Sequence, residues 1–112
     1  MAEISVIIIT KNEADNIRVC LESVAWADEI IVVDSGSSDA TIKICRELAA
    51  QVHQHDWQGF GIQKNRALSY ATREWVFAID ADERVTSELQ SQIISVTNES
   101  SQDGYYVPRL SQ

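Results

Sequence analysis

The chain has 112 residues, of which 45% are hydrophobic and 23% charged, and these values are typical of one globular domain rather than of a disordered segment. Nine Lys and Arg stand against 17 Asp and Glu, so the formal net charge is −8. This charge excludes a protein that is held to nucleic acid by neutralising phosphates, and an anionic ligand would need local basic residues or a divalent cation.

Hydrophobic periodicity predicts an alternation of strands and helices along the chain. The predicted strands are 4–10, 29–33, 51–55 and 74–79, and the predicted helices are 12–25, 40–50, 62–71 and 86–96. A further strand is predicted to begin at Tyr105, Tyr106 and Val107. Since strands that alternate with helices pair in parallel, the order predicts a single α/β domain over residues 1–112, with a mostly parallel sheet between two helical layers.

The two cysteines and the length of the apolar segments indicate the cellular compartment of the protein. Cys20 and Cys45 lie inside predicted helices, so we expect free, buried thiols in a reducing environment. The longest apolar stretch, Ile4–Ile9, is far shorter than the roughly 18 residues of a membrane span, and it lacks the flanks of a signal peptide. The sequence therefore predicts a cytoplasmic protein with no transmembrane segment.

Polar residues cluster directly after three of the predicted strands, at 10–13, 34–39 and 80–83. In open α/β sheets ligands bind outside the carboxyl ends of the strands, which meet at one edge. Loops are also polar for solvation alone. The recurrence of acidic residues after buried strands favours a binding site at this edge.

The triplet Asp80-Ala81-Asp82 is the most informative of these clusters. Two carboxylates beside a buried strand cannot both ionise at low cost without a counter-charge. Mg²⁺ or Mn²⁺, bound through the carboxylates and the phosphates of a ligand, would supply that charge. A solvated acidic turn is the alternative, and the triplet alone leaves both interpretations open.

The 34–39 segment supplies short donors and acceptors around Gly36, which suits a base or a ribose. Helix capping by Ser38 or Asp39 explains the same residues equally well. Two interpretations therefore remain for this loop, and its sequence alone does not separate them.

Lys64 and Arg66 lie near the start of a predicted helix, where the helix dipole disfavours cations. A bound anion would account for them, and so would ion pairs with surface acids. His53 and His55 lie two positions apart and precede Asp56, a spacing that could ligate zinc, but the chain has no further His.

Together these segments resemble the family 2 inverting glycosyltransferases of GT-A fold. The resemblance covers about residues 4–109, and its first three motifs are Ile9-Thr10-Lys11-Asn12-Glu13, Val32-Val33-Asp34-Ser35-Gly36-Ser37-Ser38-Asp39-Ala40-Thr41 and Asp80-Ala81-Asp82-Glu83. Asp56-Trp57, followed by Gly59-Phe60-Gly61-Ile62-Gln63-Lys64-Asn65-Arg66-Ala67-Leu68, is similar to the bacterial branch related to lipopolysaccharide core β-glucosyltransferases.

The resemblance implies a Rossmann-like nucleotide-binding half and assigns roles to seven residues. It implies that Thr10 and Glu13 line the nucleotide pocket, Asp34 and Ser35 face the base, Lys64 reaches the diphosphate, Asp80 contacts the ribose, and Asp82 with Asp80 holds Mg²⁺ or Mn²⁺. Many members carry Asp-Asp where this chain has Asp34-Ser35, and an aromatic residue where it has Lys11.

For the protein, the resemblance implies transfer from a nucleotide-sugar donor, a UDP-sugar, to a saccharide or lipid-linked saccharide. The expected setting is cell-envelope polysaccharide or lipopolysaccharide synthesis at the inner face of the membrane. The family's catalytic base lies in the acceptor-binding half, beyond the position of Gln112, so no catalytic residue is assigned. We expect an inactive isolated chain that forms a homodimer through its C-terminal segment.

Two other classes of function compete with this interpretation. A phosphohydrolase could use an Asp-X-Asp pair, but that class places the pair on its first strand with Thr or Val two residues later, where this chain has Arg84. A non-enzymatic module could bind a nucleotide, or nothing, and self-associate through its sheet. Titration with nucleotides separates this module from the transferase.

Overall fold

The computed structural model describes residues 3–48, 50–99 and 104–106. Its elements, in chain order, are β1 (Ile4–Thr10), α1 (Ile17–Ser23), β2 (Glu29–Asp34), α2 (Thr41–Glu47), β3 (Gln51–Gln54), α3 (Phe60–Tyr70), β4 (Trp75–Ala78), α4 (Ser87–Glu99) and β5 (Gly104–Tyr106). The predicted alternation of strands and helices is confirmed. The predicted last strand is confirmed at Tyr105 and Tyr106, whereas Val107 lies outside the described residues.

The five strands form one sheet in the order β3-β2-β1-β4-β5, and every neighbouring pair is parallel. From β1 the chain adds β2 and β3 on one side, and then crosses to add β4 and β5 on the other. The order therefore reverses between β1 and β4. In open α/β sheets this reversal opens a crevice at the carboxyl ends of the strands.

Helices cover both faces of the sheet, which confirms the three layers. Alternate residues of a strand point to opposite faces. Ile4, Val6 and Ile8 of β1 belong to a core cluster with residues of α1, α2 and α4, while Ile7 belongs to a second cluster with Ala67 of α3. The apolar residues of β1 are thus buried on both sides, as their uninterrupted run predicted.

Several helix boundaries differ from the predicted ones, and two of these differences have identifiable reasons. The helix predicted from position 12 begins only at Ile17, because the backbone amides of residues 12–14 donate to side chains after β2 instead of entering a helix. The helix predicted from position 62 begins at Phe60, because Gly59 at the N-cap position adopts φ 107°, a non-helical conformation that glycine tolerates.

Both cysteines are free and buried, as predicted. Among the described residues, no helix combines the length and the apolar character that crossing a membrane requires.

Candidate functional site

Six of the seven predicted site residues lie at or just after the carboxyl ends of β1, β2 and β4, and the seventh, Lys64, lies on α3. Thr10 ends β1 and lies opposite Asp34, which ends β2. The amide of Ile79 donates to the carbonyl of Ile7 at 3.2 Å and prolongs the contact between β1 and β4 up to Asp80. The structure thus brings the three polar segments to one edge, on both sides of the point where the strand order reverses.

Asp34 is enclosed by donors from its own surroundings. Its Oδ1 accepts the hydroxyls of Thr10 at 2.6 Å and of Ser37 at 2.5 Å. Its Oδ2 accepts the amides of Gly36 at 2.9 Å and of Ser37 at 2.7 Å. Asp34 is 0% exposed and Thr10 1% exposed. The carboxylate therefore organises the loop after β2, and its predicted contact with a base stays a prediction.

Lys11 lies across this loop. Its Nζ donates to the carbonyls of Ser35 at 3.3 Å and of Gly36 at 2.9 Å. Ser35 is half-buried, and its amide donates to the carbonyl of Thr10 at 3.1 Å. Lys11 thus secures the loop that was predicted to face the base.

Asn12 joins the same two segments and was missed by the sequence analysis. Its amide donates to Ser37 Oγ at 2.7 Å, and its Oδ1 accepts the amide of Ser38 at 2.8 Å. Its φ is 53°, a left-handed conformation that Asn tolerates better than most residues. An Asn two residues after a strand was the available signal. Asn12 is a positioning residue for the rim of the site.

Glu13 and Asp39 complete the connection between the two segments. The amide of Glu13 donates to Thr41 Oγ1 at 2.9 Å, and the Glu13 carboxylate accepts the Asn16 amide group at 3.1 Å. Asp39 accepts the amides of Ala14 at 3.1 Å and of Thr41 at 3.0 Å. A hydrogen bond from the Thr41 hydroxyl, with help from these amides, lowers the pKa of Asp39. The N-cap position of α2 is Ala40, neither Ser38 nor Asp39, although Asp39 accepts the amide of Thr41, the first residue of the helix.

The Asp80–Asp82 turn presents its carboxylates to solvent. Asp80 and Asp82 are exposed, while Ala81 between them is buried. Among the described residues the ion pairs join other side chains, so no Lys or Arg forms an ion pair with Asp80 or Asp82. A depression of about 230 Å³ beside the turn is lined by Asp15, Asn16, Val19, Asp82, Glu83 and Arg84.

Glu83 closes the turn from the other end. Its Oε1 accepts the amide of Asp80 at 3.1 Å, and its amide donates to the carbonyl of Asp80 at 3.0 Å. Burial raises the pKa of Glu83, and the charges of Asp80 and Asp82 raise it further. Three carboxylates are therefore close together, and a cation bound at Asp80 and Asp82 would relieve their repulsion.

Helix α1 contacts the Asp80–Asp82 turn and the residues after it. The Cys20 thiol donates to the carbonyl of Asp80 at 3.6 Å, and Ser23 Oγ accepts the amide of Val85 at 2.8 Å. Burial raises the pKa of Cys20 to about 12, with further contributions from Cys45 and the acidic turn. The thiol is therefore neutral, and it acts here as packing rather than as a nucleophile.

On α3, the two cations differ in their partners. Arg66 donates to the Asp56 carbonyl at 2.6 Å, to Gln63 Oε1 at 3.0 Å and to the Asp56 carboxylate at 3.4 Å. Ion pairing thus accounts for Arg66. Lys64 is half-buried with its Nζ 5.9 Å from the Phe60 ring centroid, and within the described residues it pairs with no carboxylate. Lys64 remains the candidate for an anion.

The two histidines both contact Tyr70. The His53 ring stacks on Tyr70 with centroids 3.5 Å apart, and His55 Nε2 lies 2.7 Å from the Tyr70 hydroxyl. In the part of the chain that the structure describes, no three His, Cys, Asp or Glu side chains are grouped to hold a metal. Among these residues His53 and His55 therefore have no third protein ligand for zinc, and a cation at the Asp80–Asp82 turn would need ligand phosphates to complete its coordination.

The sequence comparisons identify similar proteins. The profile of the family described as Glycosyl transferase family 2 matches residues 5–111. An uncharacterized glycosyltransferase of Rickettsia felis is 43% identical over 106 residues, which cover 94% of this chain and 38% of that protein. The lipopolysaccharide core biosynthesis glycosyltransferase LpsC of Rhizobium meliloti is 33% identical and is matched over 86% of this chain and 38% of its own length.

Solved structures are similar over the same region. TarS of S. aureus, residues 1–349, superposes with a TM-score of 0.76 at 29% identity, covering 87% of this chain and 32% of that one. Glucosyl-3-phosphoglycerate synthase from Mycobacterium tuberculosis, in complex with Mn²⁺, UDP and glucosyl-3-phosphoglycerate, has a TM-score of 0.65 at 26% identity, with coverages of 74% and 36%. The chain thus spans well under half the length of these relatives.

Proposed function

The chain belongs to glycosyl transferase family 2, and from this membership we propose that it is the nucleotide-sugar-binding half of a transferase. The observation that carries the proposal is the exposed Asp80–Asp82 pair beside the reversal of strand order. The proposed ligand is a nucleoside-diphosphate sugar, with UDP as the nucleotide, bound together with Mg²⁺ or Mn²⁺. Mn²⁺ and UDP are present in the structure of the similar mycobacterial synthase.

The proposed roles follow the geometry of the rim. Thr10, Glu13, Asp34 and Ser35 form the wall at which the base and ribose lie, and the buried Asp34 carboxylate acts by holding this wall in shape. Asp80 contacts the ribose. Asp82, together with Asp80, holds the metal, and both carboxylates are exposed for it. Lys64 reaches the diphosphate.

Loss of a nucleoside diphosphate leaves negative charge on the β-phosphate as the glycosidic bond breaks. Asp80 and Asp82, in the turn that Glu83 closes, would hold a divalent cation, and the bound cation would supply positive charge for the departing diphosphate. The Lys64 ammonium would add a second positive charge near the same group. Deprotonation of the acceptor hydroxyl is assigned to no residue of this chain.

We place the whole protein in cell-envelope polysaccharide or lipopolysaccharide synthesis, with a saccharide or lipid-linked saccharide acceptor. The support is the 33% identity to LpsC, a lipopolysaccharide core biosynthesis glycosyltransferase. The proposed location is the cytoplasm, at the inner face of the membrane. The proposed homodimer forms through the C-terminal segment, most of which lies outside the described residues.

Calorimetric titration tests the nucleotide site. We expect UDP and UDP-glucose to bind with Mn²⁺ and to bind far more weakly in its absence, and GDP to bind more weakly than UDP. Sugar transfer by the 112-residue chain should be slower than that of a complete family 2 transferase by at least about 10²–10⁴-fold, because this is the contribution of the catalytic base alone. Absence of any nucleotide binding would favour the self-associating module instead, and rapid transfer would contradict the assignment of this chain as one half.

A further inference from the structure

One buried side chain of α3, that of Gln63, carries a polar atom without a partner. Only Gln63 and Ala67 are buried among the 11 residues of this helix, and Gln63 is 0% exposed. Its Nε2 has no hydrogen-bond partner within the part of the chain that the structure describes. The other buried polar side chains of these ranges all form hydrogen bonds, namely those of Ser5, Thr10, Asp34, Thr41 and Thr97. Because an unpartnered buried donor costs free energy, an acceptor for Gln63 is expected.

The Arg66 guanidinium fixes which end of the Gln63 amide lacks a partner. Arg66 donates to Gln63 Oε1 at 3.0 Å and to the carbonyl of Asp56 at 2.6 Å. A guanidinium has donors only, so the end of the amide that faces it must be the oxygen. Nε2 is therefore the end that faces away from the guanidinium, and a flip of the amide would break the bond to Arg66.

Gln63 lies near the edge of the sheet that carries the candidate site. Ala67 belongs to a core cluster with buried residues of β1 and β2. Because α3 connects two parallel strands, it runs back along the sheet, and Gln63 lies about 6 Å nearer the carboxyl ends than Ala67. Asp56, which the guanidinium links to Gln63, follows His55, and the His55 amide donates to the carbonyl of Asp34 at 2.9 Å. The unpartnered donor is thus at the level where β2 ends.

We propose that Gln63 is a specificity-determining residue that reads the base of the bound nucleotide. Nε2 donates to O4 of uracil, an acceptor, whereas cytosine carries an amino donor at the same position. The base is the part of the ligand at this level, because Ser35, in the proposed base wall, directly follows the end of β2. The side chains that enclose Nε2 shift when the nucleotide binds, as side chains at binding sites commonly do. The inference rests on the proposed function and deepens it, because it gives a physical reason for UDP over CDP.

Calorimetric titration of the 112-residue chain with UDP and with CDP, each in the presence of Mn²⁺, tests the inference. We expect the parent to bind UDP about tenfold or more tightly than CDP, because CDP would bring two donors together. Gln63→Glu keeps an acceptor for Arg66 and replaces the Nε2 donor by an oxygen, so the variant should bind CDP more tightly than UDP. Gln63→Met removes both groups, and its two affinities should agree within about threefold.

Thr97→Val is the matched control, because it also removes a buried polar group, the hydroxyl that donates to the carbonyl of Ile93 at 2.9 Å. Its UDP-to-CDP affinity ratio should equal that of the parent, and circular dichroism should show that each variant is folded. The preference of Gln63→Glu decides the question if Gln63→Met does not fold. A parent-like ratio in Gln63→Glu, with UDP still bound in the presence of Mn²⁺, would overturn this inference alone. Absence of UDP binding by the parent would overturn the proposed function as well.

Discussion

Two acidic sites at the same edge of the sheet differ in what surrounds their carboxylates. Asp34 ends β2 and is 0% exposed, with donors on both of its oxygens. Asp80 and Asp82 follow β4, and both are exposed beside a third carboxylate, Glu83. Both sites follow a buried strand. The loop after β2 supplies hydrogen-bond donors to the Asp34 carboxylate, whereas the described hydrogen bonds include none to the carboxylates of Asp80 and Asp82.

The difference separates a residue that shapes a site from residues that face a ligand. A carboxylate whose oxygens are occupied contributes to stability and to the form of the loop. Carboxylates that repel one another in solvent contribute little to stability and are available to a cation. The two sites should therefore respond in opposite ways to loss of charge.

Asp34→Ala should cause the largest loss of stability. The substitution leaves the hydroxyls of Thr10 and Ser37 and the amides of Gly36 and Ser37 without their acceptor, so the free energy of unfolding should fall by about 3–5 kcal/mol. Urea denaturation followed by circular dichroism measures it. A loss below about 1 kcal/mol would show that these bonds do not hold the loop.

Asp82→Asn should leave stability unchanged and impair metal-dependent binding of UDP. Its free energy of unfolding should stay within about 0.5 kcal/mol of the parent, because an exposed carboxylate loses no internal partner. UDP should bind equally with and without Mn²⁺, since one of the two exposed ligands is gone. Calorimetry measures both affinities, with the exposed Glu22→Gln as the charge-matched control. Parent-like, Mn²⁺-dependent binding by the variant would refute Asp82 as a ligand.

Asn12 allows the loop contacts to be separated from backbone strain. Asn12→Gly keeps the left-handed conformation and removes the acceptor for Ser38, which should cost about 1 kcal/mol. Asn12→Ala also strains the backbone and should cost about 1–2 kcal/mol more. If the rim positions the base, both variants should lose UDP affinity several-fold while their affinity for inorganic diphosphate with Mn²⁺ is unchanged. Equal loss for both ligands would assign Asn12 to the fold alone.

The smallest effect concerns Glu83 in metal-free buffer. Its pKa in the folded chain is raised above its ordinary value of 4.5, so its stabilising contribution is complete below that value and is lost as pH rises through the folded pKa. Glu83→Gln keeps an acceptor for Asp80 and removes the charge. The variant should gain stability relative to the parent as pH rises from about 4 to 7. Denaturation at several pH values measures this gain. A difference in unfolding free energy between variant and parent that does not change with pH would contradict the prediction.

Much of the fold could be read from local patterns. The uninterrupted apolar run of β1 predicted a strand buried on both faces, and both faces are covered. Asp80-Ala81-Asp82 was predicted at a strand end because the triplet directly follows an apolar run. Such features depend on residues close in sequence, whose periodicity reflects the strand or helix they form.

The partners of the polar side chains were decided by the tertiary structure. Thr10 and Asp34 are 24 positions apart and meet because the register of β1 on β2 sets them opposite one another. The same register gives residues 12–14 acceptors after β2, so the predicted helix starts late. Arg66 pairs with Asp56 whereas Lys64 pairs with no carboxylate among the described residues, although both carry the same charge on the same helix. Hydrogen bonds and ion pairs act over about 3–4 Å, and distances of that kind between remote residues exist only after the sheet has formed.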